Sequence, residues 1–282
     1  MAWANSRNTY HSNAVPGVAN GISESSIYDI DARAKFAVGT SFVRADGNKY
    51  RYGNFITATT QGLLVAQDFS DVSNVSTDAL VTAPSATYQM ADETPGVYPG
   101  AVGSRYVIVT LASVVAQQFA GGYFNASKDT GYGYIYRIKG NTATDTPASG
   151  LIRLELYEPL QVVLSATTDC AIIGSLYNDL RAATAATDNI VAGVTCANMT
   201  ANTYGWVCTH GVCNCLQDGT VTNGDMIQLS IVTTGAFSAY GVGTSTNSQL
   251  GGVGNMFGAQ QLGFCIDTAA TTNYSTIYLQ LE

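Results

Sequence analysis

Apolar and polar residues alternate with a period of two in most of the regular stretches from about residue 35 onward, and this pattern most narrows the folds open to the chain. In "GYGYIYRIKGN", Tyr132, Tyr134, Tyr136 and Ile138 fall on one side, and Gly133, Ile135, Arg137 and Lys139 on the other. Successive side chains of a strand point to opposite faces, so such runs read as strands. "LIRLELYEPLQVVL" repeats the pattern up to Pro159, which suits an edge or a bend. "RYVIVTL" reads as a buried strand, and "GTVTNGDMIQLSIV" and "YSTIYLQLE" as further ones. Asp46-Gly47 between the two alternating halves of "KFAVGTSFVRADGNKYRYGN" is a strong hairpin signal. The spacing of Val114, Val115 and Phe119 in "ASVVAQQFAGG" allows a turn or two of helix. The expected class is therefore all-β, antiparallel sandwich or barrel modules with at most one or two short helices. No internal repeat suggests a propeller or solenoid.

The pattern also divides the chain. Residues 1–26 show neither period and read as an extended N-terminal arm with Trp3 and Tyr10 as apolar anchors. Residues 27–100 read as a small β module rich in loops, and 101–282 as the main β domain. A chain of 282 residues is long enough to bury roughly three quarters of its unfolded surface.

Composition bears on partners. Charged residues make up 11% of the chain, against about 25% in an ordinary soluble domain. A surface so poor in charge either faces other protein or relies on Thr, Ser, Asn and Tyr for solubility. The net charge of −8 argues against nucleic acid, whose phosphates need Lys and Arg. Arg7, Arg33, Lys35, Arg44, Lys49 and Arg51 lie near the N-terminal end, and no Lys or Arg follows Arg181. This asymmetry suggests two faces with different neighbours. No run approaches 18 apolar residues, so no membrane partner is expected. No secretory signal pattern opens the chain, so folding in a reducing cytosol is expected.

"YGWVCTHGVCNC" at 204–215 gathers Cys208, Cys213, Cys215 and His210. With a turn at Gly211, Cys208 and His210 would face Cys213 and Cys215 across a hairpin, so a metal set and a Cys208–Cys213 disulfide are both conceivable. Buried packing is the favoured reading, because free cysteine behaves as a small hydrophobe. The same holds for Cys170, Cys196 and Cys265 in their apolar runs. No metal site and no cofactor is therefore expected.

Catalytic sets are equally thin. The chain has His11 and His210 as its only histidines; His11 lies in the arm, and His210 stands two from Cys208 on one strand, where catalytic partners rarely sit. Glu155 and Glu158 point to opposite sides as a glycosidase pair, and Asp92 and Glu93 read as solvated loop residues. The tyrosine stripe 132, 134, 136 suits a core or interface face, and alternatively a sugar platform.

The stretches "FAGGYFNASKDTGYGYIYRIKGNT", "IRLELYEPLQVVLSATTD", "LRAATAATDNIVAGVT" and "TYGWVCTHG", with "YDIDARAKFAVGTSFVRADGNKYRYG", resemble tailed-bacteriophage virion structural proteins. The resemblance covers roughly residues 28–215. It implies a non-enzymatic, capsid-stabilising decoration protein on the outer surface of the head, made in the host bacterial cytoplasm. The implied partner is the major capsid protein, and the implied state a homo-oligomer, with a trimer favoured. In that role Trp3, Arg7 and Tyr10 of the arm and the basic Arg33, Lys35 and Arg44 are the expected capsid-binding residues. A receptor- or glycan-binding fibre module is the alternative, and a polysaccharide-degrading β enzyme a more distant one.

Overall fold

The computed structural model describes residues 26–67, 75–144, 150–184, 190–240 and 260–282, and at 75–78 the backbone only. It is all-β. The one helical element among the described residues is a single 3₁₀ turn, Ala86–Tyr88. No helix there is long and apolar enough to cross a membrane. The expected arm, with Trp3, Arg7 and Tyr10, lies outside the described residues except for Ser26.

The chain forms two compact units. One combines the chain up to Asp68 with Tyr177–Glu282, and the other is the intervening Phe69–Leu176. This division crosses the boundary expected near residue 100, which falls inside the inserted unit. Composition changes there because of a long loop stretch, and loop richness does not mark a domain edge when the strands on both sides join one sheet.

The strands of the discontinuous unit are β1 (Ser41–Val43), β2 (Lys49–Phe55), β3 (Leu64–Gln67), β10 (Leu180–Ala182), β11 (Val191–Thr195), β12 (Thr203–Leu216), β13 (Met226–Leu229), β14 (Phe237–Ala239), β15 (Gln261–Cys265) and β16 (Tyr274–Gln280). β1 and β2 form the expected hairpin, with Phe42 opposite Tyr50 and Gly47 in the left-handed region at φ 88°. β2 pairs with β10, β10 with β3, β3 with β11, β11 with β12, and β12 again with β2. These five strands close a ring, which removes the open edges that invite aggregation. Trp206 on β12 is buried among aromatics, with ring centroids 5.2 Å from Tyr52, 5.5 Å from Phe36 and 5.6 Å from Phe42.

The inserted unit is a six-stranded sheet in the order β4-β9-β6-β7-β8-β5. Its strands are β4 (Val75–Leu80), β5 (Tyr106–Thr110), β6 (Tyr123–Ala126), β7 (Ile135–Asn141), β8 (Leu151–Leu156) and β9 (Asp169–Ile173). The sheet curls until its two ends meet: Val81 bridges to Val109, and Thr82 N donates to Ile108 O. Its interior holds Val107, Val109, Phe124, Ile138, Ile152, Leu154, Leu156 and Ile172, the inward half of each alternating run. Residues 112–122 form turns instead of the helix allowed by their spacing. The Asn141 carboxamide accepts from Phe119 N and donates to Val115 O, taking up groups that a helix would have paired internally. Val114 and Phe119 still reach the core, while Val115 is exposed.

Candidate interaction face

β12 is the strand that carries the cysteine-rich stretch, and it runs straight through the hairpin expected at Gly211. Its first half pairs with β2 and its second half with β16. Between the halves one extra residue is inserted: Cys208 lies opposite Tyr50, and His210 opposite Lys49. Such a bulge bends a strand and reverses which residues face inward. Gly211 follows at φ 100°, where a side chain would also collide with Asn48. The Asn48 carboxamide accepts from Val212 N at 3.0 Å and donates to Val212 O at 3.1 Å, pairing with the strand as a backbone would. Trp206 and Cys208 are inward before the bulge, and Cys213 and Cys215 after it.

The change of parity turns Val212 outward. Val212 lies opposite Tyr278, Tyr278 opposite Phe264, and Phe264 opposite Met226. Val212, Phe264 and Met226 are 48%, 37% and 39% exposed, and Tyr278 is half-buried. An apolar row thus crosses four adjacent strands, about 14 Å at the usual strand spacing. The other exposed residues of these strands are Asn214, Gln261, Tyr274 and Gln280, and none carries a charge. His210 borders the row, its Nε2 3.2 Å from the Tyr278 hydroxyl. Taking a large apolar side chain from full exposure to full burial is worth about 1.5–3 kcal/mol, and Val212, Phe264 and Met226, already more than half buried, would each gain less than half of that on contact. An uncharged apolar row of this kind is chemically suited to holding another protein surface.

The inserted unit presents a second outward row. Ile173 lies opposite Tyr123 and Tyr123 opposite Arg137, whose carbonyl accepts from Tyr157 N. The Arg137 guanidinium lies over the Tyr157 ring at 5.1 Å. Lys139 pairs with Glu155 on the same face at 2.5 Å. The tyrosine stripe divides: Tyr136 is buried and hydrogen-bonded by Gln161 N, whereas Tyr132 and Tyr134 lie in turns before β7 and are exposed. Period-two reasoning extended the strand too far because Gly131 and Gly133, both at φ 84°, are turn residues.

Among the charged residues singled out from sequence, Lys35, Arg44, Asp92 and Glu93 have partners within their own units. Lys35 Nζ lies 2.5 Å from buried Asp31, which also accepts from Tyr52 Oη at 2.7 Å. That hydrogen bond to Asp31 raises the Lys35 pKa, and burial pushes the Tyr52 hydroxyl up. Arg44 lies 3.6 Å from Asp46, and its hydrogen bond to Tyr50 raises its pKa. Arg33 is exposed. Asp92 is an exposed loop residue, as expected, and accepts from Tyr106 Oη at 2.5 Å, whereas Glu93 is half-buried and accepts from Arg105 N at 2.9 Å. Burial and then Asp92 push the Tyr106 hydroxyl up to about 12.

All six cysteines are free thiols. Burial raises Cys170, to about 12, and also Cys196, Cys215 and Cys265. Cys208 differs, because a hydrogen bond with the Cys213 thiol outweighs its burial and lowers its pKa, while Cys213 is held well above the ordinary thiol value. Among the described residues no three His, Cys, Asp or Glu side chains are placed to hold a metal ion.

A scan of protein-family models, a search of curated proteins and a search of solved structures each find no match to this chain.

Proposed function

We propose that this chain is a non-enzymatic structural protein, used for contact between protein surfaces. More particularly, it decorates and stabilises the head of a tailed bacteriophage by bridging major capsid subunits, as a trimer. The uncharged row Val212–Tyr278–Phe264–Met226 carries this reading, because a water-facing sheet ordinarily alternates apolar residues inside with charged or polar ones outside. The sequence resemblance to virion structural proteins supports the choice of partner. The row alone is smaller than a stable interface, which buries about 1,600 Å² in total. It therefore serves as the apolar centre of a larger contact, joined by the arm residues Trp3, Arg7 and Tyr10 and by exposed Arg33. Lys35 and Arg44, already paired inside their own unit, contribute less.

Binding of purified protein to empty expanded capsids tests the reading. Phe264→Lys should lower occupancy at least tenfold, and a chain starting at Ser26 should bind more weakly than the full one. Equal occupancy for Phe264→Lys would remove the row from the contact. Sedimentation of the free protein should show a closed oligomer, a trimer by preference.

A second reading, glycan binding by a receptor-recognition module, is favoured by one observation: Tyr123, Arg137 and Tyr157 form an exposed aromatic row with a guanidinium over one ring. Binding to a glycan array that disappears in Tyr157→Ala would support it.

A further inference from the structure

We propose that the outward row Tyr123–Arg137–Tyr157 of the inserted unit binds an acidic sugar, with the Arg137 guanidinium receiving the sugar carboxylate. The proposal rests on the glycan-binding reading of this row and adds the class of sugar. β6 and β7 alternate residue by residue, so Phe124, Tyr136 and Ile138 fill the core while Tyr123, Ile135 and Arg137 face water. Tyr123 lies directly opposite Arg137 on one side. On the other side the Tyr157 amide donates to the Arg137 carbonyl. One cation is thereby set between two aromatic side chains, 45% and 44% exposed, across about 10 Å at the usual strand spacing.

Charge decides between a neutral sugar and an acidic one. Lys139, the next outward residue of β7, is engaged by Glu155 at 2.5 Å. Arg137 has no carboxylate partner among the described residues, although exposed Glu158 follows Tyr157 directly. Its contact is with the Tyr157 ring, 5.1 Å from the centroid. A cation–π contact occupies none of the guanidinium N–H donors as a hydrogen bond, and a carboxylate accepts two of them side by side. The tyrosine rings suit the C–H faces of a pyranose, and their hydroxyls suit its polar rim. The chain as a whole carries a net charge of −8. A contact at hydrogen-bond distance lies well inside the screening length of about 8 Å in physiological salt, so the local cation governs.

Calorimetric binding of the full chain to two matched pairs tests this: trigalacturonate against its methyl ester, and sialyllactose against lactose. In at least one pair the acidic member should bind about tenfold more tightly, and added salt should weaken that member alone. Arg137→Gln should remove the preference and leave the neutral affinity within about twofold. Arg137→Lys should restore part of it, because lysine keeps the charge and lacks the planar fork. Tyr157→Ala should weaken both members. Equal affinity within both pairs, or a preference that survives Arg137→Gln, would overturn the acidic-sugar proposal and leave the glycan reading standing. Binding of none of the four sugars would overturn both, and binding of a glutamate-rich peptide in their place would assign the row to a protein partner. The wild-type comparison within each pair decides the class of sugar even where a variant fails to fold.

Discussion

At Gly211 two demands meet, a positive φ and an approach by Asn48 that leaves no room for a Cβ. Gly211→Ala should therefore cost about 2–3 kcal/mol in denaturant unfolding, from backbone strain and from loss of the Asn48 pairing. A cost under about 0.5 kcal/mol would show that the corner relaxes freely. Glu282 gives a pH-dependent case. Burial alone would push its carboxyl up, but bidentate Arg51, at 2.6 and 3.1 Å, and the Tyr177 hydroxyl outweigh it and leave it below its ordinary 4.5. A depressed carboxyl stabilises the fold above its unfolded pKa, and that contribution fades as pH falls through the folded value. Wild type should exceed Glu282→Gln by about 1 kcal/mol at neutral pH, and the difference should vanish on acidification below pH 4.5. Neither residue was legible in sequence: a glycine between two cysteines suggests a turn, and nothing local ties Arg51 to a residue 231 positions away.

Strands were legible where one face is buried, as in β7, β8 and β16, whose burial alternates residue by residue. β12 was legible as β structure and misread in direction, because a bulge and a hairpin turn both interrupt the period at a glycine. The distinction depends on Asn48 and β16, which lie far away in the chain. The apolar row was missed for the same reason, since its four members belong to four strands and align only once the bulge sets their register. Its outward side should tolerate change that the inward side does not. Trp206→Ala should cost about 3–5 kcal/mol, as aromatic truncations in a core do. Phe264→Lys should alter thermal unfolding of the isolated chain little while impairing association, and a collapse of the monomer in that variant would mean that the row is structural.

The two compact units differ in how the chain visits them. Phe69–Leu176 is continuous, whereas its companion is assembled from segments on either side. Gln67 at the end of β3 lies opposite Leu180 in β10, so the chain departs from and returns to neighbouring positions of two antiparallel strands. The inserted unit thus occupies the place of a hairpin loop. A chain in which a short Asn-Gly turn replaces residues 69–176 should retain a cooperative unfolding transition, read by circular dichroism. Sequence could not show this, because strand patterns reveal where strands lie and not which distant partners they choose.

That arrangement also sets an order in time. During synthesis β1, β2 and β3 emerge first, yet the ring that β2 and β3 belong to needs β10, β11 and β12, on the order of a hundred residues later. At about 5–20 residues per second, they wait on the order of ten seconds, while every strand of the inserted unit has already left the ribosome. Chains stalled near residue 200 should resist protease within 75–173 and be cut within 26–67. The discontinuous unit then completes itself after the inserted one has folded, and a slow codon run after Leu176 would lengthen the interval in which β2 lacks β10 and β12.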